Sequence, residues 1–343
     1  MKISLEQIKE YLTKADNPLF FFDDDPDGLC SYLLLKRYFN KGNGVVIKAS
    51  PKLDVSYLRK VEEYCPDLVV ILDQPLIDEE FIQKINVPII WIDHHPITDM
   101  KGVKYFNPLM SNSEDNRPVT YWCYKIVEQD EWIALIGIIG DFCLATVKEF
   151  SEKYKDLFPK DLEKPETILF ESNFGKLVRI FSFILKDRTS EVNKCIKILT
   201  RVKDPYEILE KKTSQGNYIY KNYEKVNKKY EEILNSAIKD KVQDNILFYT
   251  YASSKMSFTA DLSNELMYRN PGKIIIVGRV KDDRVKLSLR SSNSIKVNLP
   301  GIIKKSLENL DGYGGGHEFA CGVNISKFDL HRFIDNLKTY INK

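Results

Sequence analysis

Carboxylates and a pair of adjacent imidazoles recur in this chain where an apolar run stops. Asp93-His94-His95 ends the run from Pro88 to Ile92, and Pro96 blocks smooth continuation. Asp23-Asp24-Asp25-Pro26-Asp27-Gly28 follows Leu19 to Phe22, Asp73 follows Leu68 to Leu72, and Asp141 follows Leu135 to Gly140. Short apolar runs read as buried strands, so these groups are expected at strand carboxyl ends, the rim where open α/β sheets bind ligands. Carboxylates crowded on a partly buried rim repel one another unless a cation neutralises them. Oxygen donors with an imidazole suit manganese, or magnesium, better than zinc. Asp23, Asp25, Asp27, Asp73, His94 and Asp141 are more donors than one ion needs. The surplus points to two divalent metals sharing a carboxylate, which together activate a water and clamp a phosphoryl group. Any one cluster has a plainer explanation: Asp27-Gly28 is also what a turn into a helix cap looks like. The joint occurrence carries the expectation.

A second group lies near the carboxyl terminus. Gly312, Gly314, Gly315 and Gly316 precede His317, and Arg290-Ser291 closes an apolar run shortly before. Glycines let backbone N–H groups approach an anion, and arginine offers a planar fork for phosphate. The stretch Asp311 to Gly316 is expected to be a loop.

The elements that must position these residues alternate. Helical spacing at Ser4–Thr13, Leu29–Phe39, Asp54–Tyr64 and Asp78–Ile85 is interleaved with strand-like runs at Leu19–Phe22, Val45–Ala49, Leu68–Leu72 and Pro88–Ile92. That order predicts a parallel sheet with right-handed crossovers. A short strand at Val103–Phe106 and helices at Val119–Glu128 and Trp132–Phe142 complete it, so the run before Asp141 reads both ways. From Ser151 to Lys241 the chain is charged and helical, with Ser214–Ile238 as one long helix and no evident chemistry. A second alternation begins at Asn245: strand Ile246–Tyr251, helix Thr259–Tyr268, hairpin Lys273–Arg279 with Arg284–Arg290, strand Cys321–Ile325 and helix Leu330–Ile341.

The whole is 343 residues, 43% hydrophobic, with net charge +2, enough for two cores and too mild a charge to decide for or against nucleic acid. The six cysteines show no C-x-x-C pair and read as reduced thiols. No stretch approaches the length needed to span a bilayer, and a cytoplasmic protein with no membrane partner is expected.

Asp93-His94-His95, Asp23-x-Asp25-x-Asp27-Gly28 with Ser31, Asp73, Asp141 and Gly314-Gly315-Gly316-His317 together resemble the motifs of the DHH phosphoesterases, in the RecJ-like version. The resemblance runs in order from Phe20 to Val323. It implies an α/β fold in three parts: a parallel-sheet metal-binding catalytic domain (1–148), a helical insertion and connector (149–243), and a smaller α/β substrate-binding domain (244–343). It implies one metal on Asp23, Asp25 and Asp73 and another on Asp27, Asp73, His94 and Asp141. His95 would act on the phosphoryl or leaving oxygen, Asp93 would orient a histidine, and Arg290, Ser291, Gly315, Gly316 and His317 would touch substrate. Phe21 departs from members that carry a histidine there or at Asp23, and Asp23 takes the role. The implied activity is metal-dependent, manganese first and magnesium second. The substrates in order are short single-stranded RNA or DNA, a long single strand, and a cyclic dinucleotide. A silent scaffold in a replication complex is the contrasting class, and a homodimer stays open.

Overall fold

The computed structural model describes residues 1–48, 52–239, 245–253, 256–292, 295 and 297–341; the expected strand end at Ala49 and the expected boundary at 243/244 lie outside the described residues. The chain divides into two compact units, Met1–Tyr223 and Glu224–Lys343. The first begins with α1 (Leu5–Lys14), whose Ser4 and Gln7 form a reciprocal capping box. It continues through β1 (Pro18–Asp23), α2 (Pro26–Phe39), β2 (Asn43–Ile47), β3 (Lys52–Leu53), α3 (Leu58–Tyr64), β4 (Leu68–Leu72), β5 (Leu76–Ile77), α4 (Glu79–Gln83), β6 (Ile89–Ile92) and β7 (Lys104–Phe106).

Five strands form a sheet in the order β2-β1-β4-β6-β7, every pair parallel. β4 and β6 are buried along their whole length, as sheets covered on both faces require. Alternation along β1 sends Phe21 against Tyr57 and Phe81 on one face, and Phe20 and Phe22 against Tyr32 of α2 on the other. α2 starts sharply because Asp25 accepts from the N–H of Gly28 and Pro26 opens the first turn. Gly28 is required there: a Cβ would stand 2.7 Å from the backbone nitrogen of Asp23.

α5 (Val119–Val127) and α6 (Glu131–Gly140) follow. The run Leu135–Gly140 is therefore helix, and its reading as a strand ending in Asp141 is corrected. α6 is buried from Trp132 through Ile139, and a helix apolar on all sides offers no periodicity to distinguish it from a buried strand. Helices α7 (Val147–Phe150), α8 (Pro165–Glu171), α9 (Asn173–Ile184), α10 (Thr189–Leu199), α11 (Pro205–Leu209) and α12 (Ser214–Ile238) make up the charged stretch, the last crossing into the second unit.

The second unit holds β8 (Ile246–Ala252), α13 (Thr259–Arg269), β9 (Ile274–Lys281), β10 (Arg284–Arg290), α14 (Leu299–Ser306), β11 (Gly312–His317), β12 (Ala320–Ser326) and α15 (Leu330–Ile341). Its strand order is β11-β12-β10-β9-β8, with β8 and β9 parallel and the others antiparallel. Val285, Leu287 and Leu289 share a core with Leu299, Ile303, Phe333 and Leu337. The expected loop Asp311–Gly316 is instead mostly the edge strand β11, paired with β12 from Gly312 to His317. Glycines are poor strand formers in general, but here Gly314 is needed for close packing, since its Cβ would lie 2.6 Å from Val323. All six cysteines are free, and Cys65, which closes α3 in a left-handed conformation, is the one that is exposed. Among the described residues no helix is long and apolar enough to cross a membrane.

Candidate metal centre

β1 and β4 are neighbours in register, Phe22 opposite Leu72, while the connection from β1 to β2 leaves on the other side. Strand order thus reverses at β1, and Asp23 and Asp73 emerge on the carboxyl side of that switch point. Asp73 has φ +57°, a left-handed backbone that aspartate tolerates better than most residues. Its N–H donates to Ile92 (3.0 Å), and the Trp91 indole donates to the next carbonyl, Gln74 (3.0 Å), which fixes the turn.

Donor atoms of Asp23, Asp25 and Asp73 lie within 4.8 Å of one another; so do those of Asp27, His94 and Asp141, and those of Asp73, His94 and His95. His94 stands at the centre. Its Nε2 is 3.6 Å from Asp73, 3.8 Å from Asp141 and 3.9 Å from Asp27. Its Nδ1 is 3.1 Å from the Asn116 carbonyl, a contact that places the proton on Nδ1 and turns the Nε2 lone pair toward the carboxylates. His95 differs: its Nδ1 lies 2.8 Å from Asp93, whose other oxygen accepts from the His95 N–H at 3.2 Å. Asp93 is fully buried and also receives the Tyr105 hydroxyl. It orients an imidazole and is not among the grouped donors.

Asp27 is held hard. It accepts from the N–H groups of Val119 (2.8 Å) and Thr120 (2.7 Å) at the start of α5, and from the Thr120 hydroxyl. A helix N-terminus favours a carboxylate there. Asn107 performs a similar task for the histidines, donating to the His95 carbonyl at 2.8 Å. Sequence reasoning missed Thr120, Asn107 and Asn116. Pro118 ahead of Val119-Thr120 and the Asn107-Pro108 pair were the available signals, since both mark helix starts.

The electrostatics are those of a site short of positive charge. Burial, then Asp27, Asp25, Asp23 and Asp141, push the Asp73 carboxyl well above its ordinary range. Burial, then Asp25 and Asp24, do the same to Asp23. Burial raises Asp27 despite the His94 imidazole, and raises Asp141 to about 7. For His94 burial opposes protonation, but Asp27 and Asp141 outweigh it and its pKa rises. Oδ1 of Asp73 is buried and has no hydrogen-bond partner among the described residues. An unpaired buried acceptor amid crowded carboxylates is what a cation would relieve, so the donor set fits a divalent metal. Phe21 lies in the core, away from these donors.

In the second unit Arg290 and His317 both register opposite Ala320, so they share one row and one face of the sheet. Two rows along, on the same face, Gly315 pairs with Gly322, and a Cβ on Gly315 would meet nothing within 4 Å. The Arg290 guanidinium is oriented by Asn264 (2.7 Å), and the Ser291 hydroxyl is buried with no partner among the described residues. Gly316, at φ +148°, passes so close to the Ala320 carbonyl that a Cβ would be 2.4 Å from it.

A parallel sheet ending in Asp-His-His and scattered aspartates, followed by a second α/β unit with a Gly-Gly-Gly-His strand, makes up a DHH-like fold. Residues 243–343 match the DHHA1 domain family. No curated protein sequence matches it. Among solved structures it is similar to RecJ from Thermus thermophilus in complex with Mn2+ (TM-score 0.68, 12% identity, 98% of this chain and 54% of that one). It thus spans about half the length of that protein. An exonuclease RecJ bound to manganese matches over 99% of this chain and 95% of its own (TM-score 0.64, 12% identity). The DHH domain of a member of a family of ribosomal proteins matches over 99% of this chain and 89% of its own (TM-score 0.69, 15% identity).

Proposed function

We propose that the chain is a metal-dependent phosphodiesterase, an exonuclease that hydrolyses short single-stranded RNA or DNA. The observation that carries this reading is the unpaired Asp73 oxygen, whose carboxylate is shared between the Asp23–Asp25 group and the His94–His95 group. Asp23, Asp25 and Asp73 would hold one ion, and Asp27, His94 and Asp141 the other, with Asp73 common to both. Manganese ranks ahead of magnesium because an imidazole stands among the oxygens, and both RecJ structures above carry manganese.

Two bound divalent cations supply a water acidic enough to ionise near neutrality and positive charge against the phosphoryl oxygens. The chain's own residues supply the rest. Thr120 and the α5 N-terminus keep Asp27 from swinging, and the Asn116 carbonyl keeps Nε2 of His94 free of a proton once a cation is present. Asp93 holds a proton on Nδ1 of His95, which leaves Nε2 to give a proton to the departing oxygen or a hydrogen bond to the phosphoryl group. Arg290, the bare Gly315 surface and His317 would seat a nucleotide of the substrate.

The test is hydrolysis of a 5′-labelled trinucleotide, a long single strand and a cyclic dinucleotide in Mn2+. The expected result is turnover that is fastest on the trinucleotide and abolished by EDTA. Turnover that ignores EDTA, or none on any of the three, would sink the reading.

A further inference from the structure

Remote from the metal centre, the first unit contains a cavity of about 490 Å³. Lys36, Arg37 and Asn40 at the end of α2, the turn Gly42-Asn43-Gly44 into β2, and Tyr64 at the end of α3 form part of its lining. The remainder includes Asn193, Ile196, Lys197, Thr200 and Arg201, positions i, i+3, i+4, i+7 and i+8 along α10 and just past it, hence one helix face. Asn43 in the cavity wall registers opposite Leu19 at the amino end of β1, while Asp23 ends that strand about 13 Å further on at 3.3 Å per residue, so the cavity and the metal centre lie toward opposite ends of the sheet.

The lining is unbalanced in charge. It contains four cations and no carboxylate. Arg37 is neutralised from behind by Asp130 (2.7 and 2.8 Å), and Lys36 donates to the Gly42 carbonyl. Lys197 and Arg201 have no acidic partner among the described residues, and they project from an exposed face. Like charges collected in a concave wall concentrate anions there. The rest of the lining suits a planar base: Tyr64 offers aromatic surface over a floor formed by Tyr32, which is itself buried and stacked on Phe22, and Asn40, Asn43 and Asn193 offer amides that can both give and accept hydrogen bonds. The size lies within the range of small-molecule sites.

From the cavity's charge, lining and position we propose that it is a second ligand site, taking a free nucleotide with at least two phosphates, held by Lys197 and Arg201 and distinct from the metal centre. It does not depend on the hydrolytic reading, because its readout is binding.

The experiment is calorimetric titration with ADP, inorganic pyrophosphate and adenosine, on full-length protein in EDTA so that the metal centre contributes nothing. The expected result is saturable ADP binding, weaker pyrophosphate binding, and affinity for ADP at least about tenfold lower in Lys197→Ala/Arg201→Ala, whose melting temperature without ligand stays at the wild-type value. Equal ADP affinity in wild type and double variant overturns the proposal, as does no saturable ADP heat up to about 1 mM. Pyrophosphate binding as tightly as ADP would overturn the nucleotide assignment. Binding of a single-stranded oligonucleotide that needs Lys197 and Arg201, without ADP binding, would overturn it in favour of a strand-tracking surface.

Discussion

Asp73 concentrates the physics of the site in one side chain. It is buried, one of its oxygens is unpaired, and four other aspartates raise its pKa. Asp73→Asn is therefore expected to cut metal-dependent turnover by about three orders of magnitude, equivalent to about 4 kcal/mol of barrier. The same change should raise the melting temperature of the metal-free protein, because it removes a charge that burial penalises. Paired kinetics and thermal melts check both signs, and a metal-free variant that melts lower would contradict the account. The pH dependence follows from the same groups. Asp23, Asp27, Asp73 and Asp141 all have folded pKa values above the ordinary carboxylate range, so the native state binds more protons than the unfolded chain. Metal-free stability should be highest below about pH 4 as far as these groups decide it, and fall as pH rises toward the Asp141 value of about 7. Added Mn2+ should restore it most at the upper end, in melts recorded across that window. Asp23, Asp25, Asp27, Asp73 and His94 were legible because residue type and strand-end position are both written locally. Thr120 was not: it meets Asp27 across 93 positions, and a threonine opening a helix looks like any other.

Two helices, α5 and α6, lock the first turn of α2. Gly137 of α6 lies against Thr120 of α5 so closely that a Cβ would be 2.2 Å from its hydroxyl oxygen. Gly137→Ala should destabilise the fold by about 1–3 kcal/mol and also loosen Asp27, whereas Thr120→Val should leave the melting temperature nearer wild type yet weaken Mn2+ binding by about 10–100-fold. Denaturant melts with metal titration of both variants separate packing from positioning. If Thr120→Val binds Mn2+ as wild type does, its grip on Asp27 is incidental. The parallel strands were readable because a sheet covered on both faces writes continuous apolar runs, as in Leu68–Leu72. The same property misled at Leu135–Gly140, where burial all round erased helical periodicity. Gly312–His317 misled in the other direction, since four of its six residues are glycine, Tyr313 alone favours a strand, and pairing with β12 is decided by the partner. The charged stretch after Ser151 carries no evident chemistry when read alone, yet α10 turns a polar, basic stripe toward the turn before β2, a juxtaposition that only the fold supplies.

Across the full chain, the proposed chemical and substrate-seating groups belong to different compact units. Their defects should therefore be separable. His317→Ala is expected to raise KM for an oligonucleotide by more than it lowers kcat, while Mn2+ affinity stays unchanged. Steady-state kinetics beside metal titration check this, and a kcat loss with KM intact would place His317 in the chemistry instead. The second alternation that begins at Asn245 implied a new core, because a new set of strands needs one, and the strands β8, β9, β10 and β12 do share one. The compact unit that holds them begins earlier, at Glu224 within α12, where a continuous helix gives the sequence no boundary signal. A single solvent-facing thiol, Cys65, adjoins Tyr64 in the wall of the basic cavity, while most of its fellow cysteines are enclosed. Maleimide dyes should accordingly attach to the native protein at this position first and fast. A fluorophore placed there would convert occupancy of the neighbouring cavity into a change in emission, with no engineered residue.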